Sequence, residues 1–179
     1  DGSALFDHVA ERSIPLLGKF NSQDLANTVW AFEKAQVSHP VLFEAVANHI
    51  VGLKKLGDYK PQEISNIVLA YAKAESSHPD LFEKLGNHIV SLEHLGTFKT
   101  QELSNTVWSF AAAEVSHPYL FEKVADHIVA LDNLRAFNGQ DFSNTVWSYA
   151  KAGESHPSLF EKIASHIVAL DNLGAFDTQ

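Results

Sequence analysis

The sequence predicts an all-α fold, a right-handed superhelix of helical hairpins that repeat every 39 residues. Two markers recur in one register: Asn-Thr-Val-Trp begins at residue 27 and returns at residues 66 (as Asn-Ile-Val-Leu), 105 and 144, and Ser-His-Pro begins at residues 38, 77, 116 and 155. Two independent markers with the same period indicate tandem repeats. A two-helix unit cannot bury its apolar face alone, so such units stack into a solenoid.

The repeat divides the chain into one solenoid segment with defined boundaries. Residues 1–20 form a partial repeat that contains only a second helix, interrupted by Pro15. Four complete repeats follow at residues 21–59, 60–98, 99–137 and 138–176, and residues 177–179 match the start of a further first helix. We therefore expect the chain to be part of a longer protein.

Each complete repeat begins with an amphipathic helix. In the first repeat, Leu25, Val29 and Phe32 recur at helical spacing and define the side that meets the second helix. An acidic residue in the first turn favours the positive end of the helix dipole. The four helices are expected to begin after Ser22, Lys60, Thr100 and Gly139.

The second helix of each repeat is predicted to begin at Ser-His-Pro, because proline suits the first helical turn and lacks an N–H that would be unpaired there. The histidines of this motif, which are expected to cap the helix, are His39, His78, His117 and His156. Glycine C-caps are predicted at Gly57, Gly96 and Gly174. The aromatic residue two positions after each break is expected to pack between repeats.

The opposite side of each first helix is the candidate binding surface. A helical wheel places a glutamine, an asparagine, an apolar residue and, in three repeats, a lysine there, at spacings i, i+4, i+7 and i+11. We call this set the polar stripe: Gln23, Asn27, Trp30 and Lys34; Gln62, Asn66, Leu69 and Lys73; Gln101, Asn105, Trp108 and Ala112; and Gln140, Asn144, Trp147 and Lys151. Amides, tryptophan and lysine supply the hydrogen bonds, stacking and phosphate contacts used on single-stranded nucleic acid. The candidate binding residues are therefore all members of the stripe except Leu69 and Ala112.

Three interpretations of the polar stripe stay open. Repeated asparagine and tryptophan side chains can join neighbouring first helices, with a ladder of amides satisfying backbone groups and the indoles filling gaps. The same side chains can contact single-stranded RNA, or an extended peptide whose main chain the amides would hold. The similarity of the four stripes favours a nearly homogeneous RNA tract, or a ligand bound without regard to its sequence.

Composition limits the classes of function. The 179 residues include 13 Lys and Arg against 22 Asp and Glu, and the formal charge of −9 opposes non-specific binding to phosphate backbones. Cysteine is absent, which excludes disulfides and thiolate-ligated metals. No apolar stretch approaches the roughly 18 residues of a membrane-spanning helix. Terminal repeats without a polar capping face predict exposed apolar ends and end-to-end association.

Enzymatic and metal-binding functions are not expected. The sequence has no glycine-rich phosphate loop, no nucleophile elbow and no metal-ligand motif, and no cofactor is expected. A second set of recurrent histidines, His49, His88, His127 and His166, follows the first set by ten residues. Ten residues separate them by about 15 Å along a helix, and neighbouring helices lie about 8–10 Å apart, whereas Zn–N bonds measure about 2.0–2.1 Å. Both sets are therefore expected to be structural.

The unit Gln-Asp-Leu-Ala-Asn-Thr-Val-Trp-Ala-Phe, followed by His-Pro-Val-Leu-Phe, resembles the octotricopeptide-type repeat and is similar to the repeats of FAST-kinase-like and RAP-domain proteins. The resemblance covers Leu5 to Phe176. Those families are α-solenoids of chloroplasts and mitochondria that bind organellar RNA and govern its processing, stability or translation. The resemblance implies a non-enzymatic module that binds single-stranded RNA in either organelle. The alternative is a protein-interaction scaffold or a structural subunit of an organellar complex.

Overall fold

The computed structural model describes residues 2–76 and 78–169. In this part of the chain the helices are α1 (Gly2–Ser13), a 3₁₀ helix (Ile14–Lys19), α2 (Ser22–Lys34), α3 (Pro40–Gly52), α4 (Pro61–Lys73), α5 (Pro79–Ser91), α6 (Thr100–Ala112), α7 (Pro118–Ala130), α8 (Gly139–Ala152) and α9 (Pro157–Val168). The described residues contain no strand, so the all-α prediction is confirmed. The Gly174 cap and the further repeat at 177–179 were predicted outside the described residues.

The helices form two layers. The first helices of the repeats, α2, α4, α6 and α8, pack side by side, and they lie closer together than the second helices α3, α5, α7 and α9. A stack of helix pairs curves toward its more closely spaced layer, so the first helices form the concave side. The molecule is a helical-repeat solenoid, and α1 occupies the position of a second helix before α2.

An apolar core between the two layers repeats with the sequence. Leu25, Val29 and Phe32 are buried, as the helical wheel predicts. An edge-to-face aromatic pair joins each second helix to the next first helix, and such pairs contribute about 0.5–1.5 kcal/mol beyond the burial of their area. These pairs, with ring centroids 4.9–5.0 Å apart, are Phe6–Phe32, Phe43–Tyr71, Phe82–Phe110 and Phe121–Tyr149.

Three of the four first helices begin one residue earlier than predicted. Asn21, rather than Ser22, is the N-cap of α2: its side chain accepts a hydrogen bond from the Asp24 N–H at 2.9 Å, and the Asp24 carboxylate accepts one from the Asn21 N–H at 3.0 Å. This reciprocal pairing satisfies two N–H groups that the helix leaves unpaired. The caps of α6 and α8 likewise lie at 99 and 138, one residue before the predicted Thr100 and Gly139.

The prediction of glycine C-caps on the second helices is wrong for the described repeats. α3, α5 and α7 end before a leucine in extended conformation, four residues ahead of the predicted site. A lysine of the next repeat binds the free carbonyl groups there, where a cation suits the negative end of the helix. These bonds join Lys84 Nζ to Leu53 O at 2.6 Å, Lys123 Nζ to Val90 O at 2.9 Å and to Leu92 O, and Lys162 Nζ to Val129 O at 2.7 Å and to Leu131 O.

Left-handed backbone occurs instead just after the first helices. Gln36, Glu75, Glu114 and Gly153 adopt φ angles of 54°, 50°, 56° and 72° at equivalent positions. Only the fourth repeat has the glycine that this conformation favours. The aromatic residues after the breaks do pack between repeats as predicted: Phe98 and Phe137 are buried, and Phe137 stacks on Phe142 with ring centroids 5.4 Å apart.

Replacing Lys123 by methionine should lower the free energy of unfolding by about 1–3 kcal/mol, because methionine keeps the aliphatic stem and loses the charged donor to two carbonyl groups. Urea denaturation followed by circular dichroism measures the change. The matched control is Lys54→Met, since Lys54 is exposed and should change stability by less than about 0.5 kcal/mol. Equal stability of the two variants would contradict a capping role for Lys123.

Candidate functional site

The structure brings most of the polar stripe together on the concave side. Equivalent residues of neighbouring repeats lie beside each other because the first helices stack in one register. They line a groove of about 440 Å³, within the roughly 300–1,000 Å³ typical of ligand pockets. The lining of this concave groove consists of Trp30, Lys34, Gln62, Ser65, Asn66, Leu69, Lys73, Lys99, Gln101, Glu102, Asn105, Trp108, Gln140 and Asn144.

Four candidate residues do not line the concave groove. Gln23 is exposed on α2, and Asn27 lines a separate, mostly apolar cavity of about 620 Å³ beside α1. Lys151 donates a hydrogen bond to Glu114 Oε1 at 2.7 Å, which lowers the pKa of the Glu114 carboxyl. Trp147 lies beyond Trp108 on α8. The groove is thus formed mainly by the second and third repeats.

The three tryptophans have different surroundings. Trp108 and Trp147 stack on each other, with ring centroids 6.0 Å apart and 29° between their planes. For this pair, the interpretation that the indoles join neighbouring helices is confirmed. Trp30 is 41% exposed and has no aromatic partner among the described residues. Its ring therefore offers a stacking surface at one end of the groove.

The amides of the stripe are available to a ligand. The side chains of Asn66, Asn105 and Asn144 are half-buried, and within the described residues they make no hydrogen bond to protein. The amide ladder that would satisfy backbone groups is therefore not formed in this part of the chain. An amide that both donates and accepts suits the edges of any nucleobase.

The lysines of the stripe differ in availability. Lys34 Nζ lies 3.4 Å from Glu33 Oε2 and 5.8 Å from the centroid of the Trp30 ring. Lys73 has no ion pair among the described residues. Lys99, which the sequence analysis missed, also lines the groove. Its position two residues before Gln101, at the same helix start, was the signal that could have identified it.

The concave groove is locally basic although the chain is acidic. Its lining includes three lysines and one glutamate, a formal charge of +2, whereas the whole chain has −9. The glutamate is Glu102, whose Oε2 accepts a hydrogen bond from the Lys99 backbone N–H at 2.8 Å. A concave surface of one sign concentrates ligands of the opposite sign. The groove therefore favours an anionic ligand.

The first set of recurrent histidines caps the second helices, as predicted. Nδ1 of His39, His78, His117 and His156 accepts a hydrogen bond from a backbone N–H of the helix it caps, at 3.1–3.3 Å. An accepting Nδ1 leaves the proton on Nε2. In the second set, burial lowers the pKa of His88, and burial together with His94 lowers that of His127.

Two further findings concern the described residues only. No group of three or more histidine and acidic side chains there is arranged to hold a metal ion. None of the described helices combines the length and the apolar character needed to cross a lipid bilayer.

Comparison with known proteins identifies one family. The family model of the RNA-editing substrate-binding complex 6 protein matches residues 3–134 and, in a second alignment, residues 58–176. The two matches overlap, as tandem repeats allow, and together they cover nearly the whole chain. No curated protein matches the chain. The octotricopeptide-type assignment itself stays a prediction.

Acidification from about pH 7.5 to about pH 5.5 should destabilise the fold. Because the pKa values of His88 and His127 are lowered in the folded state, the unfolded state binds more protons below the ordinary histidine value of about 6.5, and stability falls with pH from there. Thermal unfolding at a series of pH values measures this. The double variant His88→Gln, His127→Gln should show a shallower decline, and an equally steep decline would contradict the assignment.

Proposed function

Since the chain belongs to the RNA-editing substrate-binding complex 6 protein family, we propose that it is a non-enzymatic module that binds single-stranded RNA in the concave groove. The observation that supports this most is the local charge: Lys34, Lys73 and Lys99 line a groove with one glutamate in an otherwise acidic chain. The family description names an RNA-editing substrate-binding complex. A role related to RNA is consistent with a groove that favours an anionic ligand.

Each type of groove residue has a role in this proposal. Trp30 and the face of Trp108 turned away from Trp147 stack on bases, each base contributing about 1–3 kcal/mol. The amides of Asn66 and Asn105 bond to base edges, and the lysines contact phosphates. Ordering a flexible strand opposes these gains, so this segment alone binds RNA modestly. Its sequence preference is weak because the amides accept any base.

The proposal extends to the cellular context. The repeats resemble those of organellar RNA-binding solenoids, and the family is described by an RNA-editing complex. We therefore propose that the protein acts in organellar RNA metabolism, in a mitochondrion or chloroplast. Within such a complex it would hold RNA for enzymes supplied by other subunits.

A scaffold function is the alternative, and the faces of the outermost first helices favour it. On α8, Val146 is 37% exposed, whereas its equivalent Val107 is 0% exposed inside the stack. On α2, Ala31 is exposed, whereas its equivalent Ala70 is buried. The two faces have the residues that pack together inside the solenoid, so the α8 face of one copy fits the α2 face of another. Such a head-to-tail contact would produce open chains of molecules.

The affinity for RNA should fall only moderately as the salt concentration rises, because few phosphates are contacted. For a uniform ten-nucleotide uridine strand, the logarithm of affinity against the logarithm of salt concentration should have a slope of about −2, from three lysines on a single strand. The double variant Lys73→Gln, Lys99→Gln should bind more weakly with a slope of about −0.7. The control Lys54→Gln, Lys55→Gln removes the same charge outside the groove and should keep the slope near −2. Fluorescence anisotropy measures all three proteins, and absence of binding at low salt would exclude the proposal.

Head-to-tail association should appear as a weight-average mass that rises with protein concentration in sedimentation velocity. Val146→Asp places a charge on the α8 face and should return the protein to a monomer while leaving RNA affinity unchanged, because Val146 does not line the concave groove. A wild-type chain that is monomeric at every concentration would exclude this association.

A further inference from the structure

We propose that the concave groove holds bases of single-stranded RNA between Trp30 and Trp108, and that Leu69 creates the space for them. This inference rests on the proposed RNA-binding function. It goes beyond it by stating where the bases lie and by naming the residue that makes room for them.

Leu69 occupies the stripe position at which the other three repeats have tryptophan. Trp30, Leu69, Trp108 and Trp147 are equivalent residues of consecutive first helices. Where two tryptophans are neighbours, as in the third and fourth repeats, they stack with centroids 6.0 Å apart and leave no room between them. Leucine has no planar ring to continue that stack. Trp30, Leu69 and Trp108 all line the groove, so the groove lies where the missing indole would be.

The gap spans one whole repeat. Trp30 and Trp108 lie on the first helices of the first and third repeats, and neighbouring packed helices lie about 8–10 Å apart. Stacked bases follow each other at about 3.4 Å. A gap of two helix steps is therefore long enough for bases to enter.

The two tryptophans at the ends of the gap, Trp30 and Trp108, differ in how firmly they are held before a ligand binds. Trp108 is backed by Trp147, so its orientation is fixed before a ligand arrives, which reduces the entropy lost on binding. Trp30 has no aromatic partner in the described part of the chain, and the Lys34 Nζ lies 5.8 Å from the centroid of its ring. An exposed cation–π contact is weaker than base stacking. A base therefore displaces the Lys34 ammonium, which then lies beside the RNA backbone.

The residues around Leu69 match the remaining parts of an RNA strand. Asn66 and Asn105 line the groove with amides that have no protein partner among the described residues. Lys73 lies one helical turn after Leu69 on the same face and also lines the groove. The arrangement is two aromatic walls, amides at the base edges and a cation for a phosphate. It suits planar, anionic ligands and leaves their sequence nearly free.

Leu69→Trp tests the inference directly. A tryptophan at residue 69 would extend the stack from Trp30 to Trp147 and fill the gap, and it should fold because the other three repeats have tryptophan there. Affinity for the ten-nucleotide uridine strand should fall about tenfold or more. The control Tyr119→Trp adds an indole at an exposed residue outside the groove and should leave affinity unchanged. If Leu69→Trp binds RNA as well as wild type does, the pocket between Trp30 and Trp108 is excluded while the RNA-binding proposal stands.

A second measurement follows RNA binding to the wild-type chain itself. The ¹⁵N–¹H spectrum should show three indole N–H signals, assigned with Trp30→Phe, Trp108→Phe and Trp147→Phe. The ten-nucleotide uridine strand should shift the signals of Trp30 and Trp108. Shifts confined to Trp147 would overturn the pocket. Absence of any response to this strand would instead reject the proposed function itself.

Discussion

The structure depends on contacts between adjacent repeats, because no helix pair can bury its own apolar face. The aromatic pair of Phe43 and Tyr71 crosses from one repeat to the next. The hydroxyl of Thr100 lies 3.0 Å from the Asp141 carboxylate of the following repeat, and Lys84 binds a carbonyl group of the preceding one. The close packing of the first helices that results is what aligns the polar stripe into a groove.

The same contacts explain how an acidic chain keeps a basic groove. Asp24 and Glu102 accept hydrogen bonds from backbone N–H groups at helix starts. Their negative charge therefore stabilises the amino-terminal ends of these helices. Several lysines are likewise used by the fold: Lys123 binds backbone carbonyl groups, and Lys151 pairs with Glu114. Net charge therefore says little about the groove, where Lys73 and Lys99 remain for a ligand.

Local sequence predicted the features that local interactions determine. Ser-His-Pro identified the starts of the second helices because the capping histidine and the proline act within a single turn. The helical wheel separated the buried Val29 from the exposed Trp30 for the same reason. Features that depend on the distance between repeats were not predictable: the lysine caps, the entry of Lys99 into the groove, and which of the tryptophans stack on each other. The glycine C-caps were wrongly predicted because these helix ends are capped by lysines more than thirty residues away in the sequence.

The lysine caps mean that each repeat is completed only after the next repeat has been synthesised. The Leu53 carbonyl group receives its partner, Lys84, from a helix that lies 31 residues further along the chain. During synthesis from the amino terminus, the carboxyl end of each second helix stays exposed to water until the next hairpin has been synthesised and has packed against it. Each repeat therefore reaches its final structure only after nearly one further hairpin has been translated. Because each boundary between 39-residue repeats lies between an acceptor and its lysine, an exchanged repeat needs a following neighbour that supplies the lysine.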